Sequence, residues 1–178
     1  MDKIKLYKEE INNAMEWLAQ KNDTLFIGQS VAWPGTGMYD SLTHISEDKK
    51  MEFPIVENFQ MGFCIGMALN DFVPIAVYPR WNFLLCATDQ IVNHLDKLFF
   101  MSDGDYNPKV IIRVAVGSET PVDPQDQHKG NFSESFRKMC KNIDVVELND
   151  HTIILDEYKK AYKSNRSTIL VEFPDYGK

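Results

Sequence analysis

The 178-residue sequence predicts a three-layer α/β/α domain with a mostly parallel sheet. Apolar residues alternate along the chain between helical spacing and strand-like runs, as they do when each strand is followed by a helix. The nearly unbroken β-branched run from Lys109 to Val116 is typical of a strand that is buried on both faces. The length suits a single domain over 1–178, and a 44% hydrophobic content supplies enough apolar surface for one core.

The order of the elements follows from the same spacing. The first helix is predicted because Leu6, Ile11 and Leu18 fall on one face, and Asn22-Asp23 ends it. Gly28 then stops the first strand. Helices are predicted at 6–21, 57–69, 81–101, 132–141 and 151–163, and strands at 24–27, 53–56, 73–77, 109–116, 143–147 and 168–173. Sites in parallel sheets lie at the carboxyl ends of strands, so candidate functional segments are 28–37, 55–59, 78–83 and 117–130.

Charge and cysteine content exclude several classes of function. Lys and Arg number 19 against 26 Asp and Glu, a net charge of −7 with no basic run, which argues against binding to nucleic acid or to a membrane surface. The amino terminus is charged, and no apolar run approaches the roughly 18 residues of a membrane helix. Cys64, Cys86 and Cys140 form no CxxC motif, and their apolar surroundings predict buried thiols in a cytoplasmic protein.

Glu57 is the first candidate for chemistry. It lies at the predicted start of a helix, next to Ile55, Val56 and Phe59. In apolar surroundings a carboxyl group can keep or donate a proton near neutral pH, which is the property of a general acid or base. An acidic residue at a helix start is also common simply because it complements the helix dipole.

Two further candidates lie at the same predicted edge of the sheet. His128, in a polar loop, could transfer protons near pH 7 or could be an ordinary surface histidine. The segment Tyr78-Pro-Arg-Trp-Asn-Phe83 could hold a flat ring, although aromatic residues at such junctions also serve as core. The acidic segment 102–107 is interpreted as a helix-ending turn, and no histidine has a partner at metal-ligand spacing.

Taken together, these residues form one continuous pattern that resembles the pyrimidine-binding domain of thiamine-diphosphate enzymes. The domain is shared with transketolases, and the most similar pattern is that of the beta subunit of the E1 component of 2-oxo acid dehydrogenases. The resemblance covers nearly the whole chain and is most specific between Glu57 and Asn93. It is carried by Ile55-Val-Glu57, Gly62, Gly66, Ala68, Pro74, Trp81-Asn-Phe83, Asp89-Gln-Ile-Val-Asn93 and Met101-Ser102, and more weakly by Phe26–Val31, Arg113, Gln127-His128 and Leu170-Val-Glu172.

The resemblance implies roles for four residues. Glu57 would hydrogen-bond N1′ of the cofactor's aminopyrimidine ring and share a proton with it. Phe83 would stack on that ring, and Ile55 would line the same pocket. His128 would face the substrate and help to stabilise or protonate the intermediate. No metal-binding residue is predicted on this chain.

The sequence also departs from the family pattern. Gln29 stands where the family usually has a glutamate, which bears on proton communication between paired sites. The second, C-terminal domain of the beta subunit is expected to be absent, which bears on membership of a large dehydrogenase complex. The motif that binds Mg²⁺ and diphosphate, Gly-Asp-Gly followed by a distant Asn, is absent and would have to come from another chain.

These considerations predict the pyrimidine-binding subunit of a two-chain thiamine-diphosphate enzyme, inactive alone and acting on a 2-oxo acid. Its partner would be an alpha-like, diphosphate-binding subunit that holds Mg²⁺, and the two chains would form an α₂β₂ heterotetramer. Alternatives are a subunit of a split transketolase with ketose donors and a non-catalytic regulatory paralogue. An unrelated nucleotide-binding α/β domain is disfavoured because the chain lacks a glycine fingerprint.

Overall fold

Six parallel strands form one sheet in the computed structural model, which describes residues 3–119 and 123–175. The order across the sheet is β2-β1-β3-β4-β6-β5. All five neighbouring pairs are parallel, so the predicted parallel α/β class is confirmed. The strands are β1 Thr24–Gly28, β2 Lys50–Glu52, β3 Val73–Tyr78, β4 Ile111–Ala115, β5 Ile143–Leu148 and β6 Ser167–Glu172.

Helices cover both faces of this sheet and complete the three layers. Residues of α1 and α7 pack on one face, and residues of α3, α4 and α6 pack on the other. We call these the α1 face and the α3 face. The α-helices are α1 Lys3–Ala19, α2 Gly37–Asp40, α3 Glu57–Ala68, α4 Trp81–Leu84, α5 Leu98–Met101, α6 Ser133–Met139 and α7 Ile154–Lys163.

The central strands are buried along their whole length because both of their faces are covered. Every residue of β3, β4 and β6 is buried. Successive side chains point to opposite faces, so Ile75 and Val77 join the core under α1, whereas Ala76 and Tyr78 join the core under α3.

The strand predicted at 53–56 is wrong. The strand that pairs with β1 is β2, three residues earlier, and residues 53–56 lead irregularly into α3. Pro54 has no N–H to donate to a ladder, and Ile55 is 79% exposed instead of packing into the sheet. The apolar run therefore belongs to the surface at the edge of the sheet.

The long helix predicted at 81–101 is interrupted. The segment begins as α4, passes through a 3₁₀ turn at Leu85–Ala87 and a π-helix at Gln90–Leu95, and ends as α5. Directly after the π turn, the fully buried Asp96 accepts hydrogen bonds of 2.6 Å from the N–H groups of Lys141 and Asn142. The spacing of the apolar residues predicts a helical segment here, but it gives no sign of the change from α-helix to 3₁₀ and π turns.

The order of the strands places a crevice between β1 and β3. The chain runs from β1 outward to β2 and then returns to the other side of β1 to form β3. Ligands of open parallel sheets bind at such a reversal, outside the carboxyl ends of the strands. Gln29 follows β1 and Pro79 follows β3, so both segments meet at this point.

None of the helices in the described part of the chain combines the length and apolarity required for a membrane crossing.

Candidate functional site

Glu57 is the buried carboxylate of the crevice. It is the first residue of α3 and only 8% exposed, although Val56 before it and Phe59 after it are exposed. The Tyr78 hydroxyl, at the end of β3, donates to the Glu57 backbone carbonyl over 3.1 Å and ties the start of the helix to the sheet. Burial raises the pKa of Tyr78 far above its ordinary value, so this hydroxyl stays protonated as a donor.

The Glu57 side chain has one engaged oxygen. The side-chain amide of Gln29 donates from Nε2 to Glu57 Oε1 over 3.1 Å. Glu57 Oε2 makes no hydrogen bond within the residues that the structure describes. A fixed carboxyl group with a free oxygen can exchange a proton with a ligand that enters the crevice.

Glu52 fixes the loop that carries Gln29. Its carboxylate accepts three hydrogen bonds of 2.8 Å from the backbone N–H groups of Ser30, Val31 and Ala32. Ser30 has a φ of 60°, a left-handed conformation that turns these N–H groups toward one acceptor. Sequence reasoning missed Glu52, because its place at the end of a short strand gives no sign of contact with a loop 20–22 residues earlier.

Two glycines allow close approaches around the site. At Gly28, whose φ is +153°, a Cβ would lie 2.2 Å from the Val77 carbonyl oxygen, so β1 can end only in glycine here. At Gly117, just after β4, a Cβ would lie 1.8 Å from the His128 carbonyl oxygen. The loop that carries His128 therefore packs directly on the end of β4.

Phe83 and His128 come together although 45 residues separate them. Phe83 lies in α4 and His128 in a 3₁₀ turn, Asp126–His128, and their ring centroids are 5.2 Å apart at an angle of 52°. The ring of Phe83 is partly exposed, whereas Trp81 and Tyr78 are fully buried in the core. Within the predicted segment 78–83, Phe83 is thus the aromatic residue whose ring is accessible to a ligand.

Ile55 lies on the rim of this arrangement. Two residues before Glu57, its side chain is exposed and projects from the irregular segment that precedes α3. Phe59, one helical turn further, is exposed as well, and its ring stacks on Phe53 at 5.9 Å. The site therefore combines one buried carboxyl group with an apolar rim.

Comparison with curated proteins finds relatives along most of the chain. It is 29% identical over 174 residues to the mitochondrial pyruvate dehydrogenase E1 component subunit beta of Drosophila melanogaster, a match that covers 93% of this chain and 46% of that protein. The same subunit of Saccharomyces cerevisiae is 31% identical over 131 residues, covering 71% of this chain and 35% of that protein. No family model matches the chain.

Solved structures share the fold. A split-gene transketolase, described as an inactive beta4 tetramer, matches with a TM-score of 0.67 and 15% identity over 96% of this chain and 50% of its own. A transketolase from Campylobacter jejuni matches with a TM-score of 0.71 and 13% identity over 97% of this chain and 26% of its own. The chain is a transketolase-like pyrimidine-binding domain, distantly homologous to the E1 beta subunit.

The chain covers less than half of the length of the curated relatives that it matches. Its family binds thiamine diphosphate. The residues present fit the pyrimidine end of that cofactor, because Glu57 is buried with a free oxygen and Phe83, in a helix that begins at the same sheet edge, has a partly exposed ring. Buried polar atoms without a partner in the described chain, Trp81 Nε1, Asn82 Oδ1 and His128 Nδ1, lie in the segments around Phe83.

Within residues 3–119 and 123–175, the domain has no group of three or more His, Cys, Asp or Glu side chains arranged to hold a metal ion. The placement of Mg²⁺ on a partner chain stays a prediction. The roles given to Glu57, Phe83, Ile55 and His128 are likewise predictions, which the geometry above makes testable.

Proposed function

We propose that this chain is the pyrimidine-binding subunit of a two-chain thiamine-diphosphate enzyme that acts on a 2-oxo acid. The observation that supports this most directly is the buried carboxyl group of Glu57, held by Gln29 at one oxygen and free at the other. A carboxyl group in that state suits a ligand that carries a ring nitrogen able to accept a proton.

Thiamine diphosphate, when bound, supplies the carbanion chemistry that breaks or forms a C–C bond beside a carbonyl. The chain's own residues would bind and orient the pyrimidine ring. Glu57 would hold a proton at Oε2 toward the ring, while the Gln29 amide keeps the carboxyl group in place. Phe83 would stack on the ring, and Ile55 would help to exclude water from its edge.

His128 would act on the substrate side. Its ring contacts Phe83, and its buried Nδ1 has no hydrogen-bond partner within the described residues. An imidazole can donate or accept a proton near neutral pH. We propose that His128 hydrogen-bonds the reacting substrate and moves a proton to or from it.

The second half of the site would come from a partner. We propose an alpha-like subunit that binds the diphosphate and Mg²⁺, in an α₂β₂ heterotetramer, so that the chain alone is inactive. Ile55, Val56 and Phe59 form an exposed apolar rim. Such a patch typically marks a contact with another protein chain, which supports a partner subunit at this edge.

The curated relatives are mitochondrial by name, and a cytoplasmic location for this chain stays a prediction.

A second function is supported by the split-gene transketolase among the structural neighbours, which divides its enzyme between chains as this proposal does. In that case the donor substrates would be ketoses. A non-catalytic regulatory paralogue is disfavoured by the buried Glu57 and the paired Phe83 and His128, since a regulatory copy has no use for that arrangement.

The first experiment is native mass spectrometry of the tagged full chain purified from its own cells. A stoichiometric partner that carries a Gly-Asp-Gly…Asn motif is the expected result, and a lone chain or homodimer would contradict the two-chain enzyme. The reconstituted complex is then assayed with 2-oxo acids and with ketose donors, which separates the two substrate classes.

The decisive variant is Glu57→Ala, with Glu9→Gln on the exposed face of α1 as the matched control. We expect turnover to fall by about 10²-fold or more in the first variant, because general acid–base groups contribute about 10²–10⁴. Circular dichroism should remain unchanged in both variants. Full turnover in Glu57→Ala would remove the proposed mechanism.

A further inference from the structure

A cavity of about 370 Å³ lies on the α1 face, near the carboxyl ends of β4 and β6. Its walls come from α1, from the segment around α2, and from the residues that follow β3 and β4. The helix that carries Glu57 packs on the opposite face of the sheet. The cavity therefore lies across the sheet from Glu57, although Arg80 and Gly117 bring one wall next to the loop of His128. Its volume is within the range of small-molecule pockets, about 300–1,000 Å³.

Arg113 lines this cavity and is 1% exposed. Its Nε donates to Glu172 Oε1 over 2.6 Å and its Nη2 donates to Glu172 Oε2 over 3.1 Å. The third nitrogen, Nη1, is buried and has no hydrogen-bond partner among the residues that the structure describes. A buried N–H group of a charged side chain without an acceptor is costly, so the fold leaves room here for an acceptor.

Arg80 lines the same cavity, and its Nη1 is also buried without a partner in the described chain. The sequence contains four arginines and fifteen lysines, so half of all the arginines converge on one cavity. Guanidinium groups bind planar oxyanions through two parallel N–H groups, which lysine cannot do.

The remaining lining defines the charge and shape of a ligand. Three cationic side chains, Lys8, Arg80 and Arg113, face two carboxylates, Asp40 and Glu172. The excess of one positive charge suits a monoanion. Apolar side chains complete the walls and suit a short aliphatic body: Ile11, Met38, Pro79, Ala115, Val116 and Pro174.

We propose that this cavity is a binding site for a small aliphatic monocarboxylate, whose carboxylate accepts from Arg80 and from Nη1 of Arg113. Neither arginine is among the residues proposed to bind the cofactor, and the binding measured is that of the chain alone, without turnover. The test of this site is therefore independent of the proposed function, and either can fail without the other.

The test is isothermal titration calorimetry of the full chain with sodium butyrate, and separately with sodium phosphate, each corrected for sodium chloride at equal ionic strength. Saturable binding of butyrate is expected in the wild type. Arg80→Gln should weaken it by about tenfold or more, because a charge-assisted hydrogen bond is lost. The control is Arg166→Gln, which removes the same charge just before the start of β6, at the opposite end of the strands from the cavity. This variant should bind butyrate as the wild type does.

Lys8→Gln, on the exposed part of α1, provides a second variant should Arg80→Gln not fold, and a loss of about threefold or more is expected from the reduced positive charge. The proposal is overturned by the absence of saturable binding, by binding of phosphate alone, or by equal affinity in the wild type and the cavity variants.

Discussion

Gln29 donates a hydrogen bond to Glu57, which is 28 residues later in the sequence, and thereby joins the end of β1 to the start of α3. Both side chains are buried. The amide can donate to a carboxyl oxygen without taking its proton, so it positions Glu57 and does not compete for its chemistry.

Replacing Gln29 by Leu should leave Glu57 Oε1 without its donor. We expect the free energy of unfolding to fall by about 1–3 kcal/mol, the cost of an unsatisfied buried polar group, measured by urea denaturation. Gln20→Leu, at an exposed position after α1, should change it by less than about 0.5 kcal/mol. An equal effect of the two substitutions would show that the Gln29–Glu57 bond contributes nothing specific.

Gln29→Glu tests the same contact through pH. Two adjacent carboxyl groups would share one proton in the folded variant, and the unfolded chain releases that proton at lower pH. The variant's stability should therefore fall as the pH rises from about 5 to about 8, more steeply than that of the wild type. Parallel pH profiles for the two proteins would contradict a direct contact.

Glu172 balances the charge of Arg113 inside the core. It accepts from Arg113 at both oxygens, and the Tyr158 hydroxyl donates to its Oε1 over 2.8 Å. Because Glu172→Gln would leave a buried guanidinium without its counter-ion, we expect a loss of about 3–5 kcal/mol in the free energy of unfolding. Glu9→Gln, which breaks an exposed ion pair with Lys5, should cost less than about 0.5 kcal/mol. A small loss for Glu172→Gln would show that the pair is not buried in solution.

The three thiols should differ in reactivity. Cys64 and Cys140 are buried as predicted, and desolvation raises the pKa of each to about 12. The prediction of a buried thiol is wrong for Cys86, which is exposed. Since the thiolate is the reactive form, Ellman's reagent at pH 8 should label one thiol per native chain and three in urea. Cys86→Ser should abolish the native reaction. Rapid labelling of two or more thiols in the native chain would contradict this packing.

Glu147 should make stability depend on pH. Hydrogen bonds from the side chain of Asn131 and from Arg137 lower the pKa of its carboxyl group below the ordinary value. A carboxyl group whose pKa is lower in the folded state stabilises above its unfolded pKa, and this contribution is lost as the pH falls through the folded value. Glu147→Gln should therefore cost about 0.5–1 kcal/mol at pH 7, a modest amount because the group is partly solvated.

The difference between Glu147→Gln and the wild type should shrink as the pH falls from about 5 to about 3. Urea unfolding across this range provides the measurement, and Glu9→Gln on α1 provides the control with no expected change. A difference that stays constant with pH would exclude the ionised carboxyl group as its cause.

Local patterns were sufficient for most of the fold. The β-branched run around β4 predicts a strand covered on both faces, and the spacing from Leu6 to Leu18 predicts α1, because burial imposes a period on each element. The prediction was wrong at 53–56, where an apolar run lies on the surface. An apolar residue at a site or an interface has the same local signature as one in a strand.

The sequence by itself determined the alternation of strands and helices, the parallel class and the segments at the carboxyl ends of the strands. Only the tertiary structure decided that Gln29 reaches Glu57, that Phe83 meets His128, and that Arg80 and Arg113 share one cavity. Periodicity reports which face of an element is buried, a local property. Contacts between residues far apart in the chain depend on strand order and loop packing, which no local pattern encodes.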